Sequence, residues 1–556
     1  MKHLAILWLV AVGLVAAACS PVPRADRLLV GGVVHTPRGA ERASVAVVEG
    51  QILAVVAAEK DRAWRRAARE VVDLAGAHVY PGFTESHGHL VGLGAALEQV
   101  DLRGVASYEE LITRVQAAAA QLPAGSWVEG RGWDQNLWPG GAFPHHAALS
   151  AAVPAHPVLL RRVDGHAALT NRLGLERAGI TAAMPDPPGG RVLRGAGGEP
   201  TGVLVDAAVA LVAQHIPSPT EADLERRVLR AAQALAQLGF TSFHDAGTGG
   251  ETLEVLRRLQ QGGRLPIRVY CMLDGADPAL LAAELPRGPW VSGDGRLAVR
   301  AVKLYADGAL GSRGAWLSAP YSDEPGTRGL ELMPRHELHA AVARIGGAGF
   351  QPCVHAIGDA AVTAVLDAFE TSLNGVGLVG LRPRVEHAQI VRPEDVPRFS
   401  QLGVIASVQP THCTSDMPWA PRRLGEERTP WAYRWRSLRD AGAALCLGSD
   451  VPVENADPRH GLWAAVTRRT LEGTPAGGWN PGEALSIDEA LRGYTEWAAF
   501  AAFEESWRGR IVPGFAADFT IFDRDLSVDV PHSLTLARVV RTVVAGRDVF
   551  AGGGGS

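Results

Sequence analysis

Apolar and polar positions alternate with a period of two in three stretches near the start of the chain: "RLLVGGVVHT", "ASVAVVEGQILAVVAA" and "EVVDLAGAHVY". That period belongs to strands buried on one face, and the Glu49-Gly50 step between two apolar runs predicts a hairpin turn. The same texture returns near the other end, in "ADFTIFDRD" and "RVVRTVVAGRDVF". The two end segments, residues 27–79 and 505–550, are expected to complete one small composite β-sandwich domain.

Between them the period changes. Helical stretches such as "EADLERRVLRAAQALAQLG" and "RHELHAAVARIGGAG" alternate with short apolar runs. The runs that read as strands are "HVYPGF", "TSFHDA", "IRVYCML", "AVKLYAD", "QPCVHAI", "RVEHAQ", "VIASVQ" and "ALCLGSD". Strands alternating with helices predict parallel βα units, and this number of them suits a closed (β/α)8 barrel over residues 80–504. The fold class is therefore α/β, a TIM-like barrel with the composite β domain. The stretch 95–235 is too long for one barrel connection. It is expected to form an inserted lid subdomain, rich in Gly, Pro and Trp ("EGRGWDQNLWPGGAFP").

Composition adds little to that picture and removes some options. At 556 residues, with 47% hydrophobic and 20% charged positions, the chain can bury a large core and is not of a disordered type. A net charge of -5 offers no polybasic surface, so nucleic acid is not an expected partner. The N-terminus is distinctive. Lys2 and His3 precede an apolar stretch from Leu4 to Val15, then Ala16-Ala17-Ala18-Cys19. This reads as an export signal, too short for a membrane span. Cys19 after three alanines resembles a bacterial lipoprotein signal, with Ala16 where such signals usually carry Leu. The expectation is an exported protein of the bacterial cell envelope, lipid-anchored at Cys19, with plain cleavage after Ala18 giving a periplasmic or secreted protein instead. Cys271, Cys353, Cys413 and Cys446 form no C-x-x-C pair and read as buried free thiols.

Chemistry enters with "PGFTESHGHL". On a strand, residues two apart share a face, so His87 and His89 present two imidazoles to one point, as a metal ion requires. Further polar residues recur at the C-terminal ends of the later runs: Lys303, His355, His387 and Asp450. Barrel enzymes build their sites at those ends. A single such histidine is more often a core residue, but their recurrence on successive strands points to one metal centre.

This order, His-x-His, Lys, His, His, Asp, resembles the amidohydrolase superfamily. The strings "GRGWDQNLWP", "RVDGHAALTN", "VKLYADGALGSRGAWL", "VHAIGDAAV", "SVQPTHCTSD" and "LGSDVPVENADPRHG" resemble its YtcJ-like branch, amidohydrolase family 3, which includes N-substituted formamide deformylases. The likeness covers nearly all the chain after Cys19. It implies one or two divalent ions, most simply Zn2+, held by His87, His89 and Asp450 and by His355 and His387, with Lys303 bridging. In relatives with this order the lysine is carbamylated, and the resemblance carries that to Lys303. Asp450 would act as general base on a metal-activated water and then protonate the leaving nitrogen. His166 or Arg313 would support the substrate carbonyl. Trp133, with Trp138, Trp316 and Trp419, would either pack the lid or line an apolar pocket. His166 and His412 would either serve the site or simply order the lid or loop, and His244-Asp245 supports the centre from behind. Glu85 stands where an Asp is usual.

The expected function is hydrolysis of a non-peptide C–N bond, of amide or formamide type, in a small, partly hydrophobic substrate. Esterase, lactonase or isomerase chemistry on the same scaffold is the alternative within enzymology, since fold does not fix substrate. An exported metal-binding lipoprotein without catalysis is the alternative outside it. Oligomeric state stays open.

Overall fold

Eight parallel strands carry the centre of the molecule, in the computed structural model that describes residues 22–552 apart from 163–166, 188–189 and 376–379. The expected export signal with Cys19, His166 and the last four residues lie outside the described residues. The strands are β1 Phe83–Gly88, β2 Phe240–Thr248, β3 Arg268–Asp274, β4 Leu297–Tyr305, β5 Gln351–Ala356, β6 Arg384–His387, β7 Ile405–Val408 and β8 Ala444–Leu447. Each pairs in parallel with the next in sequence. The ring closes just past β8, where Gly88 bridges Val451, Asp450 N–H donates to His87 O at 2.8 Å and His89 N–H donates to Val451 O at 2.8 Å. This is a TIM-like barrel. Its strands are buried on both faces, which is why most of them, such as β3, read in sequence as short apolar runs, while β1 (FTESHG) is equally buried but largely polar.

The expected first run, "HVYPGF", is split in the structure. His78–Pro81 pairs with Val33–Val34 and with Phe519–Phe522 of the end segments, and only after Gly82 does β1 begin. A Cβ on Gly82 would lie 2.2 Å from Thr241 Oγ1 on β2, so the chain passes between sheets where only glycine fits.

The end segments form one eight-stranded sheet, in the order Arg547–Ala551, Val539–Val544, Phe519–Phe522, His78–Pro81, Ala25–Thr36, Gly39–Val48, Gln51–Ala57, with Ala68–Asp73 beside Ala25–Thr36. The predicted hairpin is present: Val48 pairs with Gln51 across Glu49 (φ 48°) and Gly50 (φ 78°). Two positive φ values are those of the tight hairpin turn whose twist matches its strands. Alternation sorts the side chains. Leu29, Val45 and Val47 pack with Val79, Phe519 and Val543, while Leu28, Val30 and Ala46 pack on the other face against Trp64. A buried two-pronged ion pair ties this domain to β3, with Arg268 Nε and Nη2 donating to Asp518 at 2.7 and 3.0 Å.

Residues Val91–Ala231, between β1 and β2 in the chain, form a second compact unit. Within it six strands make a mixed sheet in the order Gly190–Arg194, Pro200–Asp206, Ala167–Thr170, Val158–Arg162, Val128–Trp133, Val100–Asp101. Leu160, Leu169 and Val203 face one apolar core, and Leu159, Ala168 and Leu204 the other. Among the described residues no helix is long and apolar enough to cross a membrane.

Candidate metal centre

The hydrogen bonds that close the barrel also assemble the site. By joining β1 to the turn after β8, they set His87, His89 and Asp450 side by side. Asp450 Oδ1 lies 3.1 Å from His89 Nε2 and 3.5 Å from His87 Nε2. Lys303 Nζ, from β4, comes within 3.4 Å of His87 Nε2. The His387 ring lies 4.9 Å from that of His87 and 4.5 Å from that of His355, centre to centre. One ligand atom from each of His87, His387 and Asp450 falls within 4.8 Å of the other two. That trio draws on both of the ligand sets inferred from the sequence.

Two of these residues sit in strained backbone. His387 (φ 74°) and Asp450 (φ 61°) occupy the left-handed region, as does Ala388 (φ 42°). Non-glycine residues pay about 1–3 kcal/mol there, and such positions persist where the surroundings over-determine them. At His387 the effect on direction is plain. The turn breaks the strand's alternation, so the adjacent Glu386 and His387 both contribute to the same cluster.

Glu386 orients the centre. Its Oε2 lies 2.5 Å from His87 Nδ1, which leaves His87 Nε2 facing Lys303 and Asp450. Arg384 holds Glu386 in turn, its Nη2 donating to Glu386 Oε2 at 3.1 Å and also to Ser86 O and Ser407 Oγ, each at 2.8 Å. Burial works to raise the Glu386 carboxyl, but Arg384 and His87 outweigh it and hold it well below the usual range. Glu85 makes a separate brace. It accepts from Ser449 N and Ser449 Oγ, both at 2.8 Å, and from His87 N at 3.1 Å. Burial pushes its carboxyl up to about 8. Asp307, likewise raised to about 7 by burial, accepts from Trp316 N, Ile357 N and Gly358 N and lies 3.5 Å from His355 Nε2.

The donors suit a cation. Burial lowers His87 to about 4 and His355 to about 3, and His387 well below its ordinary value, so all three imidazoles keep a free lone pair at neutral pH. Burial also lowers Lys303. For Asp450, burial is overridden by hydrogen bonds from His412 and His89, which hold its carboxyl well below the usual range. His387 Nδ1 and His355 Nε2 are buried without a hydrogen-bond partner. Buried polar atoms left so cost about 1–3 kcal/mol each, which a bound metal ion would offset. The residues present therefore fit a divalent ion.

The family model described as the amidohydrolase family matches residues 70–550. The chain belongs to the amidohydrolase family. It is 32% identical to the putative amidohydrolase YtcJ of Bacillus subtilis over 487 residues, covering 86% of this chain and 90% of that protein. It is 28% identical to the N-substituted formamide deformylase of Arthrobacter pascens, over 94% of this chain and 97% of that one. Among solved structures, an uncharacterised metal-dependent hydrolase from Pyrococcus horikoshii aligns with a TM-score of 0.75 at 32% identity, covering 90% of this chain and 98% of that one.

Other sequence-nominated residues of this amidohydrolase lie elsewhere. Trp133 is fully buried; its indole N–H donates to Leu160 O at 2.8 Å and its ring stacks on Trp138. Of the two readings of this residue, the burial agrees with packing inside its own unit rather than with a pocket wall. Arg313 is committed to Asp323, at 3.1 Å, and to Glu324, at 3.1 Å. His244 is buried behind the centre, 3.2 Å from Arg384 Nη1. His412 lies nearer the chemistry than a loop-ordering role requires, between Asp450 Oδ2 (3.4 Å) and Glu454 Oε1 (3.5 Å). Burial opposes its charge, but the two carboxylates raise it to about 10.

Gly448→Ala tests how closely the centre is packed. A Cβ there would lie 2.3 Å from Glu85 Oε1 and 2.7 Å from the His87 N. We expect a loss of about 1–3 kcal/mol, the usual range for overpacking, seen as a lower denaturation midpoint with weakened metal retention. An unchanged midpoint would mean that the Glu85 brace is looser than its distances imply.

Proposed function

We propose that this protein hydrolyses a non-peptide C–N bond, of amide or formamide type, in a small and partly apolar substrate. The observation that carries the reading is the convergence of His87, His387 and Asp450 at one mouth of the barrel, with Lys303 and His89 beside them. A bound divalent ion, Zn2+ for a set of imidazole and carboxylate donors, would supply Lewis acidity and a more acidic water than bulk solvent. His87, His89, His355, His387 and Asp450 would hold it, with Lys303 joining as a carbamate if two ions bind. Asp450 Oδ takes a proton from the attacking water and returns it to the leaving nitrogen, so that acid and amine are released. His412, paired with Glu454, fixes the Asp450 carboxylate on its far side. Glu454, the partner of His412, also lines a cleft of 320 Å³ with Thr411, Trp463 and Leu471, whose wall mixes polar with apolar groups.

Similarity to the formamide deformylase supports the bond type. The signal-like run before Cys19 supports a place in the cell envelope, which radiolabelled palmitate incorporation into the parent but not into Cys19→Ala would test. For the enzyme itself, purified protein should contain zinc and hydrolyse members of a panel of N-formyl and N-acyl amines. Dialysis against a chelator should abolish turnover, and added Zn2+ should restore it. Ester hydrolysis alone, with every amide inert, would overturn the bond assignment; turnover indifferent to the chelator would overturn the metal.

A further inference from the structure

A second group of metal-type donors lies in the composite β domain, away from the barrel mouth. His35 ends the strand Ala25–Thr36, His78 begins the adjacent His78–Pro81, and Asp525 follows the next strand, Phe519–Phe522. One ligand atom from each lies within 4.8 Å of the other two. His35 Nε2 stands 3.1 Å from His78 Nδ1, and Asp525 Oδ2 stands 3.7 Å from the same His78 Nδ1. The second distance is too long for a hydrogen bond. Both bracket the roughly 3.4 Å that separates two donors sharing a tetrahedral Zn2+ at 2.0–2.2 Å.

The surroundings hold these atoms in place without consuming them. Asp525 Oδ1 accepts from Tyr80 Oη at 3.0 Å, from Ser527 N at 2.8 Å and from Ser527 Oγ at 2.6 Å, which turns Oδ2 toward the histidines. Tyr80 also stacks on the His35 ring, with centroids 3.9 Å apart and planes 15° from parallel, fixing that imidazole's direction. Outer partners of this kind are what orient metal ligands. Asp488 adds a further negative charge in electrostatic range of Tyr80. The His78 and Asp525 side chains keep 17% and 19% of their exposure, so an ion can reach them.

We propose that His35, His78 and Asp525 form a structural Zn2+ site, with water as fourth ligand, that clasps the N-terminal strands to the C-terminal segment. The ion takes the place of the hydrogen bond between the two imidazoles, the proton of that bond moving to the other ring nitrogen of the histidine that carried it, and cross-links parts of the chain more than 400 residues apart in sequence. No step of the proposed hydrolysis uses these residues.

The test uses the full chain. Parent protein equilibrated with ZnCl2 and then dialysed should carry one more zinc per chain than His35→Asn, while the two hydrolyse the same substrates at the same rate. Crystals of the parent grown with ZnCl2 should show an anomalous peak at the zinc edge among His35, His78 and Asp525. That second measurement stands even if the variant fails to fold. Equal zinc content in parent and a folded variant, or no peak between these three side chains, would overturn the site and leave a hydrogen-bonded histidine pair.

Discussion

Asp450→Asn is expected to lower turnover by about 10³-fold, inside the range that a general acid–base group contributes, while the protein keeps its metal. Asn preserves shape and one donor oxygen but cannot accept and pass on a proton. The effect should be confined to chemistry because Asp450 is braced from several sides: its N–H donates to His87 O, and its carboxylate faces His89 and His412. Metal analysis of parent and variant, beside kcat on the best amide of the panel, reads both halves of the expectation. Turnover close to the parent's would remove Asp450 from the proton path. Loss of metal with turnover would make it a ligand before anything else. A non-catalytic metal-binding protein predicts no amide turnover even in the parent.

Much of this centre is legible in the sequence. His87 and His89 announce themselves because strand side chains repeat every two residues, and the eight apolar runs announce a barrel because parallel strands are buried on both faces. What escaped was whatever depends on a break in regular backbone. Glu386 stands next to His387 and, by alternation, belongs on the opposite face; the left-handed turn at His387 is what brings both to one cluster. The handover between sheets at Gly82 is invisible for a similar reason, since one apolar run serves two sheets. Trp133 stays open between packing and pocket because a Gly- and Trp-rich string also looks like a binding loop; its ring fills the core of a unit with its own six-stranded sheet. The signal that could have found Glu386 lies in its place in "RVEHAQ" beside a strand end, and His412 in "PTHCT" is legible as a candidate but not its partners, because spacing alone does not say toward what a carboxylate or imidazole points.

Glu386→Gln should be the most destabilising single exchange near the centre. Glu386 and Arg384 are both fully buried, and the guanidinium lies 2.7 Å from the carboxylate at its nearest approach. Taking charge from one partner leaves a buried cation uncompensated, which costs about 3–5 kcal/mol in such pairs. The same exchange weakens the anchor on His87 Nδ1, and loss of such an orienting partner typically lowers metal affinity by about 10–100-fold. The two effects can be separated. Replacing both partners, Arg384→Leu with Glu386→Leu, removes the unpaired charge, so much of the stability should return, as it does when buried ion pairs give way to apolar residues. Metal affinity should not return, because His87 still lacks its acceptor. Denaturant midpoints and competitive zinc titrations of the parent, the single and the double variant supply the comparison. If the double variant regained metal affinity along with stability, Glu386 would matter only as a counter-charge to Arg384, and the orientation of His87 would have to come from the barrel closure alone.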